Sequence, residues 1–464
     1  MKYKLKTRLP LLAFICMTHA AYNQVQIGND IIGEEYVGFF SIDLSSDGSI
    51  LAIGRHAGGD SIVGQSSVYK LENNDWQLIG KPIEYEENGT SSECSVNLSA
   101  TGNRLVTGIP YYTRPDSLRY GLVRVYEFVD DDWTQIGQDL SGSLNGEFGI
   151  KVLISEDGNR IVALERIYRP NSTESGGRVQ VFDIVDDEWI QVGSDIVSSE
   201  FIWDVAFSTD GNQLVFYGSV TMLFYSLSNI NEWEEQATFL EPKGSARGLS
   251  FSNDGTSLIS FDRSNPRKEL QVYSNENGWG PKGNRIAIDS IRLSQAVFLN
   301  SDGSKIAMTA YNIIKDTITN TIVTINNYCY IYEYINNDWE QQFQFNTTGD
   351  ELFTMDIISV SDNGVIAVAY GLSGKGLVKV FDLSDFISSN SYITEEESPL
   401  YPNPTDGILY IQENLNANEV TIYDPSGRLI RCQLIKNGEI DITDLNSGTY
   451  ILQIGTNIQR IIKE

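Results

Sequence analysis

The chain has 464 residues, of which 41% are hydrophobic, and a formal net charge of -29. That length exceeds one ordinary compact core, so it calls for several domains or a repeat architecture. The charge argues against nucleic acid and anionic membrane surfaces as partners, since both are bound by clustered Lys and Arg. Tyr, Thr, Ile, Val and Gly are plentiful and no convincing amphipathic helix follows the N-terminus, so the fold expected is all-β.

Lys2, Lys4, Lys6 and Arg8 precede a short apolar run over 9–17 and the small residues Ala20 and Ala21. Residues 1–21 therefore read as an export signal, too short to span a bilayer. Phe14 and Ile15 before Cys16 lack the small residue of a lipoprotein signal, and no later apolar run suggests a membrane span. Cys94, Cys329 and Cys432 are far apart and no CxxC pair occurs. They read as small buried hydrophobes, not as a metal site or a disulfide framework.

From residue 22 to 387 one pattern recurs: an alternating strand, a Ser-Asp-Gly turn, an apolar strand, a variable loop, a Val-x-Val-Tyr-like strand, an acidic turn, and a strand opening with Trp. Copies begin FSIDLSSDGSILAIG, CSVNLSATGNRLVTG, IKVLISEDGNRIVAL, DVAFSTDGNQLVFYG, GLSFSNDGTSLISFD, AVFLNSDGSKIAMTA and IISVSDNGVIAVAYG. Gly in the first turn supplies the positive φ that a tight hairpin demands. The second copy uses Thr101-Gly102, and in the seventh Asn363 is expected in the Gly slot. Trp76, Trp133, Trp189, Trp233, Trp279 and Trp339 are expected to pack between neighbouring sheets.

The seventh copy stops after its third strand. Gln26-Ile27-Gly28-Asn29-Asp30-Ile31 matches Gln135-Ile136-Gly137-Gln138-Asp139-Leu140 and Gln191-Val192-Gly193-Ser194-Asp195-Ile196. The N-terminal segment thus supplies the missing fourth strand and closes a ring, which leaves no bare edges between sheets. The expectation is a seven-bladed β-propeller. The repeat resembles bacterial propeller repeats related to integrin-type FG-GAP and WD40-like blades, with Tyr36-Val37-Gly38-Phe39 and Glu147-Phe148-Gly149 as the FG element. It lacks the Asp-x-Asp-x-Asp-Gly loop, so calcium, the one cofactor considered, has no motif to support it.

The polar stretch 384–398 reads as a linker, with the linker proper over 388–398. Beyond it, LYPNPTDGILYIQE, EVTIYDPSGRLI, EIDITDLNSGTYILQIG and IQRIIKE alternate as the strands of a small β-sandwich over 399–464. Tyr401, Pro402, Asn403, Pro404, Gly407, Gly427, Gly448 and Tyr450 carry a resemblance to the type A C-terminal sorting domain of the type IX secretion system of Bacteroidota. The resemblance implies the secretion machinery as partner and passage across the outer membrane. It also implies removal of the tail and a mature protein released or held at the cell surface.

Only His19 and His56 are present, and His19 lies in the leader. No nucleophile elbow, zinc-binding His pair, P-loop or dinucleotide fingerprint occurs. No catalytic residue is assigned, and no metal ligand. In an antiparallel blade the first and third turns share one face, which gathers Asp47, Asp75, Asp130, Asp157, Asp186, Asp210, Asp254 and Asp302 and should be acidic. The second loops point the other way and hold Arg55, His56, Tyr111, Tyr112, Arg114, Arg119, Arg166, Tyr168 and Arg169, with Trp203 expected near the same mouth. Variable Tyr- and Arg-bearing loops on a rigid scaffold suit binding. The reading is a non-enzymatic secreted or surface propeller that recognises glycan or protein through this face. The alternatives are a hydrolase or lyase acting on polysaccharide, and a calcium-bridged adhesion or structural protein.

Overall fold

The computed structural model describes residues 25–33, 39–55, 64–85, 94–113, 119–167, 176–240, 248–262, 269–287, 292–300, 302–315, 322–346, 354–372 and 375–383. In the C-terminal part it describes 400–401, 405, 407–411, 419–423, 429–435, 438–446, 448–454 and 457–463. The chain divides into two compact units, Gln24–Ser389 and one that contains Asn390–Glu464. Among the described residues every regular element is a strand.

Gln24–Ser389 holds seven antiparallel sheets that pair their strands in chain order. Blade 1 runs through Phe39–Leu44, Ile50–Arg55, Gln65–Glu72 and Asp75–Leu78. Blade 2 spans 95–141, blade 3 146–198, blade 4 204–240, blade 5 249–287 and blade 6 292–346. Blade 7 has Thr354–Val360, Val365–Leu372 and Lys375–Asp382, and its outer partner is the N-terminal segment Val25–Gln26 and Ile31–Ile32. Val25 pairs with Asp382 and Ile31 with Val378, so the propeller is closed by its own N-terminus.

The shared Gln-x-Gly-x-Asp motif shows why these segments are interchangeable. Gln26, Gln135 and Gln191 each donate through Nε2 to the Asp four residues on, at 2.7, 2.9 and 2.7 Å. A cation on the neighbouring third strand faces the same Asp: Lys379 at 3.6 Å from Asp30, Arg124 at 2.8 Å from Asp139, and Arg178 at 2.9 Å from Asp195.

A Gly at this place, in the motif at Gly28, Gly137 and Gly193 and without its Gln and Asp at Gly80 and Gly283, seats the Trp of the next blade. Trp76, Trp133, Trp189, Trp233 and Trp339 donate through Nε1 to the carbonyls of Ile27, Ile79, Ile136, Val192 and Lys282 at 3.0–3.2 Å. A Cβ on Gly137 would stand 2.4 Å from Trp189 Cδ1. Blade 4 offers no such Gly to blade 5, and Trp279 packs differently, 4.5 Å from Phe224 and 5.9 Å from Phe251.

The first turns are built alike. Ser45 donates to Asp47 Oδ1 at 2.7 Å, and its Oγ accepts the Ile50 N–H at 2.9 Å. Ser155, Ser208 and Ser252 repeat the arrangement with Asp157, Asp210 and Asp254. In the seventh copy Asn363 takes the Asp place, accepting from Ser361, and Gly364 at φ 88° takes the Gly place. The expected assignment of Asn363 to the Gly slot is thereby corrected: Asn363 and Gly364 stand where the other turns have Asp and Gly, Gly364 is the residue at positive φ, and the turn reaches its second strand one residue sooner than in the other copies.

In the C-terminal unit, strands Leu400–Tyr401, Ile408–Ile411 and Glu439–Asp441 form one sheet. Leu429–Leu434, Glu419–Tyr423, Gly448–Ile454 and Asn457–Lys463 form a second. Leu409, Val420, Ile422, Ile440, Leu452 and Ile461 are its core.

Gly137→Ala places a methyl against Trp189 at a residue with φ 73°, whereas Gly278 (φ 88°) has open space around it. Both variants carry the backbone strain of about 1 kcal/mol or more. Gly137→Ala adds the clash and should lose about 2–4 kcal/mol in urea unfolding, clearly more than Gly278→Ala. Equal losses would show that the Trp seat contributes nothing.

Candidate functional site

The turn face is acidic for a conformational reason. The third turns place Asn73 and Asn74, Asp130 and Asp131, Asp186 and Asp187, and Asn336 and Asn337 at φ between 49° and 66°. Two successive residues at positive φ make a type I′ turn, which Asn and Asp tolerate best after Gly. In the first turn, desolvation raises the Asp47 carboxyl, but hydrogen bonds from Ser45 and Ser49 outweigh it and hold its pKa below the ordinary value. Among the described residues no group of three or more His, Cys, Asp or Glu is placed to hold a metal ion.

The first strand of each blade is the free edge of its sheet, and polar side chains of several first strands reach the next blade. Their oxygens cap the N–H groups of the next blade. Asp43 Oδ2 accepts from Leu98 N–H at 2.7 Å and from Asn97 Nδ2 at 2.6 Å. Asn97 Oδ1 accepts from Ile154 N–H at 2.7 Å, Ser95 Oγ from Val152 N–H at 3.1 Å, and Ser359 Oγ from Leu44 N–H at 3.0 Å. Ser359 in turn donates to Asp43 Oδ1 at 3.0 Å. At the turn end a circle of contacts runs blade to blade. Ser46 N–H donates to Ala100 O, Ala100 N–H to Glu156 O, Glu156 N–H to Thr209 O, and Asp362 N–H to Ser46 O, all at 2.9–3.0 Å. Asn253 of blade 5 accepts from Thr209 Oγ1 through its carbonyl and donates through Nδ2 to Asp362 of blade 7, both at 2.5 Å, so the series passes from blade 5 directly to blade 7. These residues enclose a cavity of about 200 Å³.

On the opposite face the structure brings some of the sequence-derived candidates together and separates others. Arg166 lies 5.0 Å from the Phe201 ring and 6.0 Å from the Trp203 ring, and those rings are 4.6 Å apart. Its Nε donates to Ile202 O at 3.0 Å and its Nη2 to Trp203 O at 2.8 Å. Arg119 sits 5.4 Å over the Tyr111 ring and donates to Asn145 O at 3.3 Å. Tyr112 packs on the blade 1–2 core, and its carbonyl accepts from Tyr120 N–H at 3.1 Å. Arg55 is half-buried at the end of the second strand of blade 1. His56, Arg114, Tyr168 and Arg169 lie outside the described residues, as do the leader, the linker, Pro402, Asn403, Pro404 and Gly427.

Three anchors of this face were not singled out from the sequence. Glu165, fully buried, accepts from Ser143 N–H and Oγ at 2.6 Å and from Arg178 Nε at 2.7 Å, fixing the connection from blade 2. Glu200 accepts from Val220 N–H at 2.9 Å and so ties the connection from blade 3 to a turn of blade 4. Phe201 adds the second ring beside Trp203. Glu165 lies in the second strand of blade 3 and the half-buried Glu200 in a connection, and the partners that make them anchors, Ser143 and Val220, are distant in sequence, so only three-dimensional contact identifies that role.

The family described as secretion system C-terminal sorting domain matches residues 399–464. In its sorting motif Tyr401 pairs with Tyr410, a Cβ on Gly407 would stand 2.7 Å from Thr443 Cα, and Tyr450 Oη donates to Asn446 O at 2.7 Å. The fold and this domain together define a secreted seven-bladed β-propeller addressed by type IX secretion to the cell surface or outer membrane. Among solved structures the chain is similar to the β-propeller domain of Myceliophteria thermophila Cps50 (Swd1), at 11% identity and a TM-score of 0.51, covering 77% of this chain and 99% of that one. That similarity concerns the fold alone. No curated protein sequence matches the chain.

Desolvation dominates at Asp43 and pushes its carboxyl up to about 6, against hydrogen bonds from Leu98, Ser359 and Leu44 and the charge of Lys151. The folded protein therefore holds this proton where the unfolded chain has lost it. The contribution of Asp43 to stability therefore falls as pH rises from about 4 to about 6 and is constant above that. Asp43→Asn keeps an acceptor for Leu98 N–H and does not titrate. It should be more stable than the parent at pH 8 by about 1–3 kcal/mol, an advantage that disappears near pH 4. An unchanged difference in melting temperature across that range would refute the assignment.

Proposed function

We propose that this protein is a surface or secreted binding module whose second-loop face, around blades 3 and 4, takes a glycan. The observation that carries the reading is the Phe201–Trp203 pair, partly exposed and held by Arg166 through ring contacts and two carbonyl hydrogen bonds. Aromatic faces pack against the C–H surface of a sugar ring, and rings held rigid lose little entropy on binding. The carboxylates of Glu165 and Glu200 fix the adjoining connections in advance. Arg166 has its described donors turned inward, so its role here is to position the rings.

A glycan array probed with the secreted chain should give specific binding, and Phe201→Ala should weaken it about 10- to 30-fold with little change in melting temperature. Absence of glycan binding, with capture of a protein ligand instead, would replace this reading with protein recognition.

A further inference from the structure

Most arginines with described contacts spend their donors inside the protein. Arg104 reaches Glu127 and Gly158 O, Arg124 reaches Asp139, Arg160 reaches Asp183 and Gly211 O, and Arg178 reaches Glu165 and Asp195. Arg55 differs. Its Nε is buried and has no hydrogen-bond partner, which is also true of Arg431, but whereas Arg431 pairs with Asp444, no carboxylate forms an ion pair with Arg55 among the described residues.

Its place in the repeat sharpens the contrast. Ile50 opens the second strand of blade 1 and Arg160 that of blade 3, so Arg55 occupies the place that Glu165 holds in blade 3. Across the ladder Glu165 faces Arg178, while Arg55 faces Gln65. In blade 3 the pair is neutralised and every oxygen of the acid accepts hydrogen bonds. In blade 2 the same place is the apolar Ile109, fully buried. Blade 1 alone of these three puts a cation there, opposite an uncharged amide. A chain with a net charge of -29 has acids in abundance, yet none described here meets this cation. A dry guanidinium N–H without an acceptor is costly, and the planar fork matches an oxyanion in a bidentate manner.

We infer that Arg55 receives an oxyanion of the ligand, the carboxylate or sulfate ester of an acidic glycan, at the second-loop end of blade 1. The inference rests on the glycan-binding reading above and names the class of glycan. Ion pairing then comes from blade 1 and ring stacking from blades 3 and 4.

The test uses the full chain with three oligosaccharide probes: alginate (carboxylate), carrageenan (sulfate) and neutral laminarin fragments. One acidic probe should bind the parent, lose at least 10-fold in Arg55→Gln, and recover in part in Arg55→Lys; which acidic probe binds distinguishes carboxylate from sulfate. Acidic binding that is unchanged in Arg55→Gln, or binding of the neutral probe alone, overturns the inference and leaves the glycan reading standing. If no probe binds the parent, the glycan reading fails, and thermal melts in sodium sulfate against sodium chloride of equal ionic strength decide the rest. Sulfate stabilisation present in the parent and absent in Arg55→Gln supports an anion site, and an equal response in both refutes it. Melting of Arg55→Gln well below the parent in anion-free buffer also refutes it, because loss of an unpartnered cation should not weaken the fold.

Discussion

Every blade presents the open edge of its first strand to the central channel, and the unpaired N–H groups of that edge must be satisfied. The protein does this with side-chain oxygens from the preceding blade: Ser359 to Leu44, Asp43 and Asn97 onward to Leu98 and Ile154, Ser41 to Val96, Ser95 to Val152, and Asp204 to Leu249. The outer joints, with Trp on carbonyl and Gly beneath it, hold the rims of the blades by the same neighbour-to-neighbour logic. The polarity of the channel is thus largely consumed by architecture. Asp43, with its raised pKa and place in the centre, has the outward marks of a functional carboxylate and is instead an edge cap.

The same reasoning separates the two faces. The acidic turns carry Asp and Asn because type I′ backbone asks for them, which gives the negative charge a cause in chain geometry. The opposite face has no such obligation. Two of its connections are held by single acids, the buried Glu165 and the half-buried Glu200, and its aromatic and basic groups lie where the scaffold leaves freedom for variation.

Much of the fold was legible in the sequence because it is periodic. The Ser-Asp-Gly turns, the Trp positions and the Gln-x-Gly-x-Asp motif recur at matching places, and the match of residues 26–31 to 135–140 indicated ring closure. Register at one turn was misread, since Asn363 is adjacent to the Gly that takes positive φ and either can fill such a place. Trp279 follows the repeat in sequence but not in contact, because the outer strand of blade 4 lacks the Gly that would seat it. The candidate site was only partly legible. Composition pointed to Arg and Tyr in the second loops, but whether Arg166 faces a ligand or its own backbone depends on the carbonyls of Ile202 and Trp203, which no local pattern reveals. The contrast between Arg55 and Glu165 was present in the sequence, but it acquires meaning only when ladder partners are known.

Closure by the N-terminal segment also has a kinetic side. Val25 and Asp382 pair to close the ring across 357 residues of chain, so this contact has a large entropic cost of loop formation and forms late. A polypeptide that crosses a membrane N-terminus first cannot complete this ring until its seventh blade has followed. Before that point the blades form an unlatched array of sheets, and the ring is complete only once all seven are present.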